Sequence, residues 1–451
     1  PCWYNRAMSP ILLRLVRVLP LLLAVLALAG CAGLLPATPT PTIAPSPTPV
    51  ATPPAPTPAA VATPAPPSAT PAPPALTLWV AEEGSALELV RELASAFAAE
   101  TDIPITVLAR PADGLRLSLA TAELLGEAPP DLLWGDQEAL AGLRADGRIQ
   151  PVGLSAPTDT LPALRTAASA DNALWGVPLS AQGALLLLYN RALVDAAPTT
   201  SDELIVRSRA ATTPQVAGMV AAWDEARWLL PWLYAFGGAP LSADGQTISL
   251  ETPELAAALG LLRELYVAAP TDGAGYRRGQ RLFAQGYAAF ALDGDWAVQR
   301  YRVVSDTLEL GIAPLPLVPA TGRPALAPLG GSFLLFHRDL AGEARTRARA
   351  FATWLLEPAI QARLARGLGR LPARSGLLAR SDLTADPALA AAAAGATLAP
   401  GLPPTQAARC MLDAIDVWLP NVLSGSLDQA EAPARMQREA DACLARFASG
   451  L

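Results

Sequence analysis

Two carboxylates separated by one residue, Asp293 and Asp295, close the apolar run Phe283 to Leu292 and are followed directly by Trp296. Acids held side by side are what a hydrolase uses to move protons, so an extracytoplasmic hydrolase is one reading. Acids on alternate residues of a strand end more often cap and turn the chain, and that is the preferred reading. The chain has one histidine, His337, which leaves almost no material for a histidine metal site or a Ser-His-Asp triad. All 33 basic residues are arginine. Without lysine there is no P-loop to cradle a nucleotide and no Schiff base. No catalytic residue, metal or cofactor is expected.

These residues sit in a chain of 451 residues, enough for two or three domains or one two-lobed unit. Hydrophobic residues make up 52% and charged residues 16%, so a large apolar core is available. The formal charge is −7, with no basic block, which argues against nucleic acid as a partner.

The N-terminal region reads as an address. Arg14 and Arg17 precede the apolar run Val18 to Ala29, which is short for a membrane span, and Leu28-Ala29-Gly30-Cys31 follows. This resembles a bacterial lipobox, which implies that residues 1–31 are a lipoprotein signal and that Cys31 carries the lipid. The alternative is an uncleaved anchor helix. Residues 1–7 precede Met8 and suggest a misplaced start. Loss of residues 1–30 removes Arg6, Arg14 and Arg17 and no acid, leaving −10. Residues 32–75 hold 16 of the 46 prolines, mixed with Ala and Thr. Proline fixes φ and has no N–H, so this segment is expected to be an extended tether.

From residue 76 onward the pattern alternates. Leu76, Leu78 and Val80 have strand period, and Ala86, Val90, Leu93 and Phe97 have helical period. Strands are expected over 103–109 and at Asp131–Trp134, with helices over 115–125 and near 138–145. Strand–helix alternation implies parallel sheet in an α/β fold. Ligands in such sheets sit beyond the carboxyl ends of the strands, which puts Glu82, Glu83, Gly84, Trp134, Gly135 and Asp136 on one candidate rim. Further strands are expected at 185–188, 283–292, 311–319 and 332–336. Helices then dominate: 341–356, one opened by Pro358, and two near the C-terminus.

Five segments occur in a recognisable order: Pro130-Asp131-Leu132-Leu133-Trp134, Leu174-Trp175-Gly176-Val177-Pro178-Leu179, Leu188-Tyr189-Asn190-Arg191-Ala192-Leu193, Phe283 to Phe290 with Gly294-Asp295-Trp296, and Phe351 to Leu356 with Leu371-Pro372-Ala373-Arg374. Together they resemble the extracellular solute-binding proteins of ABC importers, in the maltose-binding group, over essentially all of 76–451. The resemblance implies a two-lobed periplasmic-binding-protein fold of type II with the ligand between lobes. The first lobe would be about 76–181 and 317–371, and the second about 182–316 and 372–451.

The same resemblance places candidate ligand contacts. Trp296 and Trp134 fall on cleft tryptophans. Asp136 falls on a residue that bonds sugar hydroxyls, or caps the next helix. Glu225 falls on a ligand-bonding acid, Arg227 on a cleft aromatic, and Gln182 within one residue of a cleft acid. Trp223 and Trp228 flank Glu225 and are core or platform. Met411-Leu412 fall where the type protein has a cleft tryptophan. That absent aromatic, with Arg227 in place of another, points toward a different or partly anionic ligand. The implied activity is capture of a solute, a carbohydrate first, and delivery to permease subunits driven by a separate ATPase. The protein would act as a monomer held to the membrane through Cys31, in the periplasm or on the outer face; a sensor feeding a receptor is the alternative.

After processing, the remaining cysteines are Cys410 and Cys443. Their midpoint lies at Ser426-Leu427, beside Ser424-Gly425, so a helical hairpin turning there brings them level. A disulfide is expected in an oxidising compartment, with two buried thiols as the alternative.

Overall fold

The structure is a computed structural model that describes residues 74–111, 114–269, 275–304 and 308–448. Cys31 and nearly all of the tether lie outside these residues. The strands in chain order are β1 (Leu76–Val80), β2 (Ile105–Ala109), β3 (Leu132–Asp136), β4 (Ile149–Gln150), β5 (Ser169–Ala170), β6 (Ala173–Leu174), β7 (Val177–Gln182) and β8 (Leu185–Asn190). They continue with β9 (Ala217–Val220), β10 (Ala288–Gly294), β11 (Leu310–Pro314), β12 (Leu317–Val318), β13 (Arg323–Pro324), β14 (Gly330–His337) and β15 (Leu371–Pro372).

The first sheet has the order β15-β7-β14-β3-β1-β2, with β4 also paired to β14. β1 is parallel to β2 and β3, with Leu78 level with Val107 and Leu132. The strand–helix alternation explains this half, because each crossover helix returns the chain to the same end of the sheet. The helix Gly84–Thr101 buries Leu89, Val90, Leu93, Ala94 and Phe97, one stripe at helical spacing. It stops at Asp102, which takes a left-handed φ of 57° and returns its N–H to Ala98. Phe97 packs 5.0 Å from Phe351 and 5.6 Å from Trp354, which joins this helix to Gly342–Leu355. Truncating Phe97 to Ala would cost about 3 to 5 kcal/mol, the usual loss for a core aromatic.

The second sheet has the order β11-β8-β10-β9. The chain passes from the first sheet to the second through Gly183-Ala184, between β7 and β8. Gly183 has φ +101°, a conformation strained for any side chain. The return runs through residues 315–329. Leu315, Val318, Ala325 and Ala327 are buried in the core of the second lobe, so the first lobe resumes near residue 329 rather than at 317. The contact of Thr321 Oγ1 with the Ala235 carbonyl, at 2.8 Å, has the same consequence.

The C-terminal helices Gln406–Ser424 and Ala432–Ala448 belong to the second lobe and meet at Gly425 in a left-handed C-cap. Cys410 and Cys443 are disulfide-bonded between them, with Cα atoms 5.6 Å apart.

Candidate functional site

The first lobe contributes a cavity of about 280 Å³ at the carboxyl ends of its strands, lined by Glu82, Glu83, Asp136, Gln182, Ser332 and Arg370 among others. β1, β3 and β7 deliver the first four residues because parallel strands release their polar continuations at one edge. Arg370 forms a two-pronged pair with Glu82, at 2.5 and 2.9 Å, and also donates to Ser332 Oγ at 3.0 Å. Ser332 in turn shares a 2.8 Å hydrogen bond with Ser180. Glu83 is exposed at the N-terminus of its helix and makes no side-chain cap. Asp136 does cap, accepting from the Ala139 N–H at 2.8 Å, and still borders the cavity. Trp134 is a correction. Its ring is fully buried in the core with Phe97 and Phe351, so it borders the cavity from beneath and offers no face to a solute.

The second lobe presents Trp296, which is 46% exposed. It stands in the first turn of the helix Asp295–Val304, and its Nε1 donates to Tyr276 Oη at 3.0 Å. Tyr276 Oη donates to Asp293 Oδ1 at 2.7 Å. Asp293 is 2% exposed and also accepts from Gln280, Tyr301 and the Gly294 N–H. Sealed and saturated in this way, Asp293 cannot exchange protons with a substrate, and the hydrolase reading of the Asp293–Asp295 pair has no geometric basis. Burial, then the adjacent Asp293 carboxylate, raises the Tyr276 pKa, so its hydroxyl stays protonated as the donor.

Trp228 is the second correction: it is 2% exposed, donates Nε1–H to the Leu292 carbonyl at 2.8 Å, and meets Trp296 edge to face at 6.3 Å. It supports the exposed indole from behind. Trp223 is likewise core, edge-on to Tyr266. Met411 is fully buried within the second lobe and does not face the cleft, while Leu412 is partly buried against the same core. Glu225 and Arg227 do lie in the open, at the start of the helix Ala226–Ala235. The first N–H of that helix, on Ala226, is taken by Asp416 at 2.5 Å rather than by Glu225. Glu225 is therefore left without a cap bond. Desolvation and the neighbouring Asp224 and Asp416 raise its pKa, against the pull of Arg227.

Arg227 connects the two walls. Its guanidinium lies 5.5 Å from the Trp296 ring centre, and its Nη1 would stand 3.2 Å from a Cβ on the hinge residue Gly183. Surrounding protein lowers its pKa, while Asp295 and Glu225 of the second lobe and Glu138 and Asp136 of the first oppose that shift. Asp295 holds the hinge: its carboxylate accepts from the Gly183 N–H at 3.1 Å and the Ala184 N–H at 3.3 Å. Burial pushes the Asp295 pKa up to about 6, with those N–H groups acting in the other direction. A second seam joins the lobes where Gln137 donates to the Leu402 carbonyl at 2.6 Å and Arg144 to the Pro404 carbonyl at 2.9 Å.

Glu83, Asp136 and Gln182 thus share one wall, and Glu225, Arg227 and Trp296 the other. Sequence reasoning missed Arg370, Ser332 and Tyr276. Another recess, of about 320 Å³, is lined by Trp79, Arg110, Leu117 and other residues of the first lobe alone. Arg110 already covers the Trp79 ring there, at 3.9 Å.

Comparison with known proteins agrees with this architecture. The family model for bacterial extracellular solute-binding proteins matches residues 92–391. A maltotriose-binding protein of Pyrococcus abyssi is 24% identical over 321 residues, 70% of each chain. A maltooligosaccharide ABC transporter solute-binding lipoprotein of Streptococcus pneumoniae is 26% identical over 249 residues, 51% of this chain and 57% of that one. Among solved structures, a cyclo/maltodextrin-binding protein complexed with maltotetraose superposes with a TM-score of 0.74 at 20% identity, covering 83% of this chain and 98% of the other. The maltose/maltodextrin-binding domain from Bdellovibrio bacteriovorus, bound to maltotriose, gives 0.65 at 23% identity, covering 82% and 99%. The chain belongs to the bacterial extracellular solute-binding protein family, whose members bind solutes and are not enzymes.

Proposed function

We propose that this protein captures a carbohydrate of the maltooligosaccharide class between its lobes and delivers it to an ABC importer whose permease draws on a separate ATPase. The exposed indole of Trp296, set beside Glu225 and Arg227 on one wall and opposite Asp136, Glu83 and Gln182, is the observation that carries this reading. A sugar ring has an apolar C–H face that suits an indole, and hydroxyls that need the surrounding carboxylates and amides. A solute bridging both walls binds the closed arrangement better than the open one and shifts the population toward closure. The names of the relatives support the sugar class and the importer. The lipobox supports anchoring through Cys31, on the outer face of the membrane or in the periplasm, and the protein is proposed to act as a monomer.

Calorimetric titration with maltotriose tests the proposal. Trp296→Ala and Glu225→Gln should each weaken binding by about 1 to 3 kcal/mol, through lost stacking and a lost acceptor respectively. Full affinity in Trp296→Ala together with a large drop in melting temperature would place that ring in the core and remove the central contact.

A further inference from the structure

The hydrogen bonds around Asp293 form a directed chain that ends at the exposed indole. Trp296 Nε1–H donates to Tyr276 Oη at 3.0 Å, and Tyr276 O–H donates to Asp293 Oδ1 at 2.7 Å. The carboxylate is held in turn by the Gly294 N–H at 2.8 Å on that same oxygen, and by Tyr301 at 2.6 Å and Gln280 at 3.0 Å on the other. Four donors on a buried carboxylate fix it in position. The contacts come from three elements: Tyr276 and Gln280 lie on the helix Tyr276–Ala284, Tyr301 on the helix that carries Trp296, and Asp293 at the end of β10. Tyr276 also packs 5.3 Å from Trp228, which backs Trp296 edge to face.

An exposed indole with nothing holding its N–H is free to change χ1 and χ2, and a ligand must then order it on binding. Here the ring is fixed before the ligand arrives, which lowers the ordering cost of association. We infer that Asp293 is a positioning residue that sets the plane of Trp296 through the Tyr276 hydroxyl, so that the buried carboxylate governs affinity for a stacked sugar without touching it. The inference rests on Trp296 being a ligand contact, as proposed above.

The test is a double-mutant cycle on the full-length protein with maltotriose as the probe. Tyr276→Phe keeps the ring against Trp228 and removes only the hydroxyl. It should weaken maltotriose about tenfold, the weight of one hydrogen bond. In a Trp296→Ala background the same change should have no further effect. With 5-fluorotryptophan incorporated, the resonance that Trp296→Ala deletes should broaden or split in Tyr276→Phe without ligand. A purely structural role of Tyr276 would leave that line as it is. Asp293→Asn should reproduce both effects if it folds; Tyr276→Phe carries the test if it does not. Loss of binding in Trp296→Ala with none in Tyr276→Phe, or an unchanged fluorine line, overturns the positioning role and leaves the sugar cleft standing. A tenfold loss that persists in the Trp296→Ala background also overturns it, since Tyr276 would then act by itself. Wild-type affinity in Trp296→Ala overturns the cleft reading and this inference together.

Discussion

The indole of Trp296 lies across the backbone of Gly294, so close that a Cβ on residue 294 would stand 2.1 Å from Trp296 Cζ3 and 2.2 Å from Cε3. The glycine is needed here for space, since its φ is outside the left-handed region. Gly294→Ala should therefore force the ring off its seat while leaving the backbone allowed. Overpacking of this kind costs about 1 to 3 kcal/mol in a core, and less where the displaced group can swing into solvent. Maltotriose affinity should fall about tenfold, with red-shifted emission and stronger acrylamide quenching of the displaced indole. Unchanged affinity and emission would show that the ring is not held over Gly294.

Asp295 gives a pH prediction with a definite sign. Its folded pKa, about 6, lies above the ordinary aspartate value of about 3.9 because burial disfavours the carboxylate. A group shifted upward contributes stability that is complete below the unfolded pKa and is lost as pH rises through the folded one. Between about pH 4 and 6 this residue should therefore work against the folded state as it ionises. Asp146, Asp382 and Asp386 are shifted downward by arginine partners and have the opposite slope, so the whole-protein curve does not isolate Asp295. The difference between wild type and Asp295→Asn does. The wild-type melting temperature should fall relative to the variant from pH 4.5 to pH 6.5 and hold a constant offset above that. A rise instead would mean that the Gly183 and Ala184 N–H groups outweigh burial at the hinge.

Much of the fold could be read from the sequence because its elements have clear periods. The helix 115–125 matches its expected bounds, and Gly183 marks the first crossing close to the expected 181/182 boundary. The resemblance sets the second crossing at 317, but Val318 packs into the core of the second lobe, and nothing local in the sequence tells which core its apolar side takes. Site residues were harder for the same reason. Trp134 sits within a strand buried on both faces, where alternation gives no direction, whereas Trp296 lies two residues past its strand, in the first turn of a helix that leaves it half-exposed. The resemblance puts Met411 on a cleft position. The buried positions Ala407, Cys410, Met411, Ala414 and Ile415 repeat at helical spacing, and that period alone assigns Met411 to the core. The pairing of Arg370 with Glu82 joins residues 288 apart and leaves no local signal.

The lipid anchor is a separate prediction. Cys31→Ser should leave an unprocessed precursor, read by mass spectrometry of the membrane fraction. Continued cleavage after Gly30 with release of soluble protein would replace anchoring by ordinary secretion.

The Cys410–Cys443 disulfide should hold the C-terminal hairpin to the second lobe. Both cysteines are buried, at 0% and 6% exposure, so thiol reagents should reach them only after unfolding. The bridge spans a sequence separation of 33. In the chain-entropy model a loop of that size constrains the unfolded chain by roughly 3 to 4 kcal/mol. Cys410→Ala with Cys443→Ala should lower the melting temperature by several degrees and lower the stability of the second lobe. The helix Gln406–Ser424 also contacts the helix Ala226–Ala235, whose first N–H its Asp416 holds, so loosening the hairpin should reach Glu225 and Arg227. Maltotriose affinity should then fall modestly, by less than in Trp296→Ala, and cooling below the transition should restore part of it. Two titratable thiols in the denatured, unreduced protein would remove the bridge and the prediction with it. An intact bridge whose removal changes neither melting nor affinity would mean that helix packing alone fixes the hairpin.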